Sequence, residues 1–270
     1  MTEFQLGTLA VVAVLTLLPW AISIALRNAS IVDAFWGVTI VAIAWVHYVR
    51  GYLLQGPACL PEQCEFTWPP PIAGLIVALV TIWGLRFSLY VGWRTVGSGE
   101  SERQRALRAR LGARFALNSL FTVFLVQTLL AWVVALPAQG AYGGGSVSEP
   151  LLVGGVVLWA FGFSFEALGD LQLAWFRRDP ANRGRVMDRG LWRYSRHPNY
   201  FGDLCVWWGL YLIAAANWQW WTVVGPIVLS VLLVGISGPA LERSIARRRP
   251  GYPDYARVTS PFLPLPPKDH

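Results

Sequence analysis

Glu166 and Asp170 lie four residues apart within an apolar stretch, which puts two carboxylates on one face of a helix, one turn apart. At membrane depth an ionisable side chain costs about 3 kcal/mol unless it is paired or faces a polar cavity. Two adjacent anions cannot satisfy each other. They need donors, which ribose hydroxyls, an amide or nearby arginines would supply. Arg177 follows Asp170 by seven residues, two turns along the same face. The structural alternative is that Arg86, Arg94 or Arg177 simply neutralises the acids.

The densest polar run follows, from Arg177 to Asp203: RRDPANRGRVMDRGLWRYSRHPNYFGD. Its arginines, Arg185 and Arg196 among them, alternate with Pro180, Asn182, Gly184 and Gly190, a pattern that predicts an ordered loop and not a charged helix. Guanidinium forks in such a loop suit a pyrophosphate and a ribose 2′-phosphate. Arg196, His197, Pro198, Asn199 and Tyr200 then open a helix, with proline in its first turn, and Asp203 follows one turn on. A helix N-terminus beside arginines attracts anions.

Asp33 and Arg86 are the other ionisable residues inside apolar stretches, with His47, Tyr48, Tyr90, Asn118, Gln127 and Gln172 as milder cases. For Asp33 a capping role just after Asn28–Ser30 competes with a chemical one. The familiar soluble signatures are absent. There is no Gly-x-Gly-x-x-Gly turn between a strand and a helix, no Walker lysine, no Gly-x-Ser-x-Gly elbow and no His-Glu-x-x-His. The single lysine, Lys268, argues against Schiff-base chemistry. Cys59 and Cys64 fall among prolines in a predicted outer loop, where an oxidising compartment would permit a disulfide, and no histidine stands nearby for zinc.

The elements that must position these residues are membrane spans. With 55% hydrophobic and 14% charged residues in 270, the chain carries too few charges to coat a soluble globule of its size. Seven apolar stretches approach the roughly 20 residues that cross a bilayer: 7–26, 31–50, 72–92, 115–137, 151–175, 200–217 and 219–240. An all-α, polytopic fold with about seven transmembrane helices is expected, as a single membrane domain over 1–270 whose cofactor half spans about 151–260. With the N-terminus outside, loops 27–30, 93–114, 176–199 and the tail after Leu241 hold all of the 22 Lys and Arg residues except Arg50 and Arg86. The net charge of +7 then describes a cytosolic face and not a nucleic-acid groove.

Particular motifs carry a family resemblance. Asp33-Ala-Phe-Trp36-Gly37, Trp83-Gly84-Leu85-Arg86, Glu166 with Asp170 and Gln172, Gly190-Leu191-Trp192, Arg196-His197-Pro198-Asn199-Tyr200-Phe201-Gly202-Asp203, and Leu241-Glu242-Arg243 with Tyr252 and Tyr255 together resemble the bacterial DUF1295 family, grouped with the steroid 5-alpha-reductases. That resemblance implies a seven-helix fold in a bacterial inner membrane, holding NADPH in a cavity open to the cytosol, with a lipid or steroid substrate entering from the bilayer. It assigns cofactor contacts to Glu166, Asp170, Arg177, Arg185, Asn199 and Asp203, with Tyr252 from the tail; Arg94, Arg196, His197 and Tyr200 are counted beside them. Glu166 stands where the eukaryotic reductases have asparagine. Asp33 and Tyr90, with Arg86 nearby in sequence, are the positional candidates for stabilising the substrate oxygen, and no metal is expected.

In such a reduction, negative charge develops on the substrate carbonyl and a positioned hydroxyl or protonated carboxyl must meet it. The rival activity is an S-adenosylmethionine-dependent membrane methyltransferase, because those enzymes share the Arg-His-Pro-Asn-Tyr-Phe-Gly segment and the tail's Glu242, Tyr252 and Tyr255 support it. That cofactor bears no phosphate and leaves the convergence of arginines on one loop unexplained. A non-enzymatic lipid carrier would leave Glu166 and Asp170 unexplained.

Overall fold

The structure, a computed structural model, describes residues 3–54, 71–95, 99–140 and 146–268. Cys59 and Cys64 lie outside the described residues. Every regular element described is helical: α1 (Glu3–Ala25), α2 (Val32–Leu54), α3 (Pro71–Thr95), α4 (Glu102–Leu111), α5 (Phe115–Ser119), α6 (Val126–Val134), α7 (Leu136–Gln139), α8 (Glu149–Arg178), α9 (Pro198–Ala216), α10 (Val224–Ser230), α11 (Gly238–Arg248) and α12 (Tyr252–Val258). Two π-helical segments, Leu120–Leu125 and Val231–Ser237, join α5 to α6 and α10 to α11.

All seven predicted stretches are helical. Among the described residues, five helices are long and apolar enough to cross a membrane: Ala29–Gly51, Ile72–Thr95, Glu102–Val134, Glu149–Arg178 and Trp220–Arg248. The chain is an integral membrane protein. Ala10–Ala25, within α1, is a shorter apolar helix. The sixth expected span, α9, has the length and lacks the hydropathy, because Asn199 and Asp203 occupy its first turns.

The helices gather into two compact units, Met1–Gly143 and Gly144–His270. In the first, α2 crosses α3 where Gly37 meets Gly84: a Cβ on Gly37 would sit 2.5 Å from the Gly84 carbonyl oxygen. Only glycine permits backbones this close, and close backbones are how helices pack without a hydrophobic drive. Trp36, Trp83 and Phe87 fill the space beside the crossing, with ring centroids 5.4–6.5 Å apart. The two Trp-Gly motifs are therefore packing devices. Pro19 in α1 deprives the Leu15 carbonyl of its helical partner, and the Thr128 hydroxyl lies 3.5 Å from that oxygen.

In the second unit, α8 and α9 run antiparallel along a glycine seam. Gly155 meets Gly209, Gly162 meets Gly202, and Gly169 meets Pro198 and Asn199. The π turn before α11 has a local cause. Pro239 offers no N–H to the Gly235 carbonyl and crowds it, and widening the preceding turn relieves both.

Candidate functional site

The α8–α9 seam brings the predicted polar residues of the second unit together. Glu166, Asp170 and Asp203 are buried along it, 3%, 4% and 6% exposed. Gly202 packs directly on Glu166, where an added Cβ would lie 2.5 Å from the Glu166 nitrogen. Asn199 Nδ2 donates to Asp170 Oδ1 at 3.3 Å, joining residues 29 apart in sequence. The i, i+4 spacing puts the two α8 acids on one face; the glycine seam brings that face onto α9.

The arginine loop is ordered by the turn formers the sequence offered. Asp179 accepts from Ala181 N at 2.9 Å, Asn182 Nδ2 donates to the Phe176 carbonyl at 3.0 Å, and Gly184 and Gly190 take φ of +78° and +58°. Gly190 also needs to be glycine for space, since a Cβ there would meet the Gln172 amide at 2.6–2.8 Å. Gln172 Oε1 accepts from Leu191 N at 2.9 Å, and Trp192 Nε1 donates to the Gly169 carbonyl at 3.0 Å. Arg177 and Arg185 are exposed.

Arg196 and His197, which lead into α9, both meet an acid from the C-terminal segment. Arg196 Nη1 donates to Glu242 Oε2 at 2.9 Å, and His197 Nε2 lies 2.9 Å from Glu242 Oε1. The His197 ring is 2% exposed and stacks between Tyr200 and Phe262, with centroids 5.2 and 5.1 Å away. Burial pulls its pKa below the usual histidine value, and Glu242 only partly opposes this. The buried Tyr252 hydroxyl faces the same pair, and burial, with Glu242 adding to it, pushes its pKa up to about 12.

The C-terminal segment clasps this region at several further points. The Tyr255 hydroxyl donates to the Trp192 carbonyl at 2.6 Å, Ser195 Oγ donates to the Phe262 carbonyl at 2.8 Å, and Arg196 N donates to the Ser260 carbonyl at 2.8 Å. Arg249 donates to the Arg185 carbonyl. Glu242, Ser195 and Phe262 were absent from the sequence-derived site. Glu242 carried two signals, as part of the Leu241-Glu242-Arg243 motif and as the sole acid between Asp203 and Asp254, beside an arginine-rich stretch.

Asp33, Arg86, Tyr90 and Arg94 belong to the first unit. Asp33 sits in the first turn of α2, and Arg94 and Arg103 are among its nearby cations. The short 3-10 turn Ala29–Ile31 that leads into α2 is capped by Asn28, whose Oδ1 accepts from Ser30 N at 3.0 Å. Arg86 and Tyr90 are half-buried on α3, and the Arg94 guanidinium carbon lies 5.6 Å from the Tyr90 ring centroid. A cleft in this unit, lined by Leu15, Val32, Phe35, Trp36, Phe124 and Gln127 among others, is mostly apolar. The Trp36 indole N–H is buried without a hydrogen-bond acceptor.

Fold and site together define an all-helical integral membrane protein with a buried acidic seam beneath a basic loop. The chain belongs to the DUF1295 family, described as "Protein of unknown function (DUF1295)", whose profile matches residues 19–259; this family is part of the steroid 5-alpha-reductase-like group. The chain is 29% identical over 84 residues to a probable O-methyltransferase, ustE, of Ustilaginoidea virens, a match covering 31% of this chain and 30% of that protein. It is 25% identical over 275 residues to the uncharacterized protein C594.04c of Schizosaccharomyces pombe, covering 91% of this chain and 75% of that one. No solved structure matches.

Proposed function

We propose that the chain is an NADPH-dependent reductase of a carbon–carbon double bond conjugated to a carbonyl, in a hydrophobic lipid such as a 3-oxo-4-ene steroid. The observation that carries this reading is the pairing of Asp170 with Asn199 in a buried acidic seam that ends at an ordered loop of exposed arginines. The donor set fits the cofactor. Carboxylates accept from ribose hydroxyls, Asn199 offers an amide, and the exposed Arg177 and Arg185 are the cations for the phosphates. NADPH, when bound, supplies the hydride.

The chain's own residues then have three tasks. Glu166, Asp170, Asn199 and Asp203 orient, and the glycine seam keeps water from between α8 and α9. Arg177 and Arg185 neutralise phosphate charge. Tyr90 and Asp33 are the candidates to hold a proton at the substrate oxygen, where charge develops. The arginine-rich loops follow the positive-inside pattern, which puts the cofactor site and the C-terminus in the cytosol and the N-terminus outside.

Two observations favour methyl transfer as the second reading: the 84-residue likeness to a probable O-methyltransferase, and the neutralisation of Arg196 by Glu242, which removes one cation from phosphate binding. Calorimetric titration of the detergent-purified protein with NADPH, NADH and S-adenosylmethionine separates them. NADPH binding tighter than NADH supports the reductase. Equal affinities remove the 2′-phosphate argument, and tight S-adenosylmethionine binding without NADPH binding overturns the reading.

A further inference from the structure

Helix α9 begins without a side-chain cap, and His197 before it has non-helical φ and ψ of −136° and 58°. Besides the seam with α8, the contacts on residues 195–197 set how the chain enters that first turn. Those contacts come largely from the C-terminal segment: Ser260 on the Arg196 amide, Phe262 on Ser195 Oγ and on the His197 ring, and Glu242 on the Arg196 and His197 side chains. Ser195 Oγ in turn accepts from His197 N at 3.1 Å.

A carboxylate only accepts hydrogen bonds, so the ring nitrogen facing Glu242 carries the hydrogen. In a neutral ring this fixes the Nε2–H form and leaves the lone pair on Nδ1. The groups around the ring are Glu242 from α11, Arg196 beside it, Tyr200 from α9 and Phe262 from the tail, while Tyr252 from α12 faces the Arg196–Glu242 pair.

We propose that Glu242 is a positioning residue for the cofactor site. Its two carboxylate oxygens hold Arg196 and His197 separately, which sets the rotation of the first turn of α9 and so the aim of Asn199 and Asp203. The site is thereby complete only when the C-terminal segment is docked. The inference rests on reading the Asp170–Asn199 pair as a cofactor contact. It does not require Glu242 to touch the cofactor.

The test uses the full chain in mild detergent with histidine-selective ¹⁵N labelling, the His197 signal assigned by its loss in His197→Gln. Glu242→Gln is the isosteric variant, and Tyr255→Phe is a control that loosens the tail without touching the ring. The wild type is expected to show the Nε2–H pattern. Glu242→Gln is expected to lose that preference and to weaken NADPH binding about tenfold or more, whereas Tyr255→Phe lowers the melting temperature and keeps the tautomer. Unchanged ring shifts and unchanged NADPH affinity in Glu242→Gln overturn the proposal. If the wild type itself does not bind NADPH, the reductase reading falls separately; a tautomer altered in Glu242→Gln then still supports the positioning role, and an unaltered one overturns it.

Discussion

Replacing Gly162 with alanine tests whether the glycine seam builds the site. The added Cβ would lie 2.6 Å from each of Cys205 Cβ, the Gly202 carbonyl oxygen and Val206 N. Two of these atoms are backbone and cannot rotate away. Ordinary contact begins near 3.4 Å, so α8 and α9 must part by about 0.8 Å in a close-packed seam. Such overpacking costs about 1–3 kcal/mol, while alanine in place of glycine returns about 1 kcal/mol of helix propensity. Gly154→Ala, in the same helix with nothing within 4 Å, receives the propensity gain without the clash. The difference between the two variants therefore isolates the seam, at about 1–3 kcal/mol, or roughly five- to 150-fold in the unfolding equilibrium. The functional loss follows from geometry. The Asn199–Asp170 bond is already 3.3 Å, and a parting of this size breaks it, which is expected to weaken NADPH binding about tenfold or more. Melting in detergent and nucleotide titration, run on both variants, give the answer. A Gly162→Ala protein that melts with Gly154→Ala and binds NADPH like the wild type refutes the reasoning.

Asp170→Ala and Asn199→Ala are expected to weaken NADPH binding, whereas Tyr90→Phe or Asp33→Asn keeps affinity and loses about 10²-fold in turnover if that residue stabilises the substrate oxygen; unchanged turnover in both means the donor lies elsewhere. The depressed pKa of His197 makes its protonation favour the unfolded chain. Stability from this group is thus full above the ordinary histidine value of about 6.5 and is lost as pH falls below it, so thermal melts should decline there in the wild type and less steeply in His197→Gln. Cysteines placed in 138–149, in a background without Cys59, Cys64 and Cys205, should label with an impermeant thiol reagent from outside the cell, and those placed in 98–104 should not; the reverse pattern inverts the topology.

The membrane class and the helical segments were legible in the sequence because both are local properties. A run of some twenty apolar residues has one stable form in a bilayer, a helix that satisfies its own backbone. The shared face of Glu166 and Asp170 follows in the same way from helical period, and the turn chemistry of Gly184 and Gly190 announces the ordered loop. What spacing could not convey is which faces meet. Asp170 finds Asn199 because Gly162 and Gly202 let two backbones touch, and a glycine in a sequence does not name its partner. Asp33 has Arg94 and Arg103 among its nearby cations, 61 and 70 residues further on. Arg196 and His197 were legible as an anion site at a helix start, yet the anion they meet is Glu242, 46 and 45 residues further on. Long-range pairing depends on how the chain returns across the fold, a property of the packed helices and not of any window of sequence.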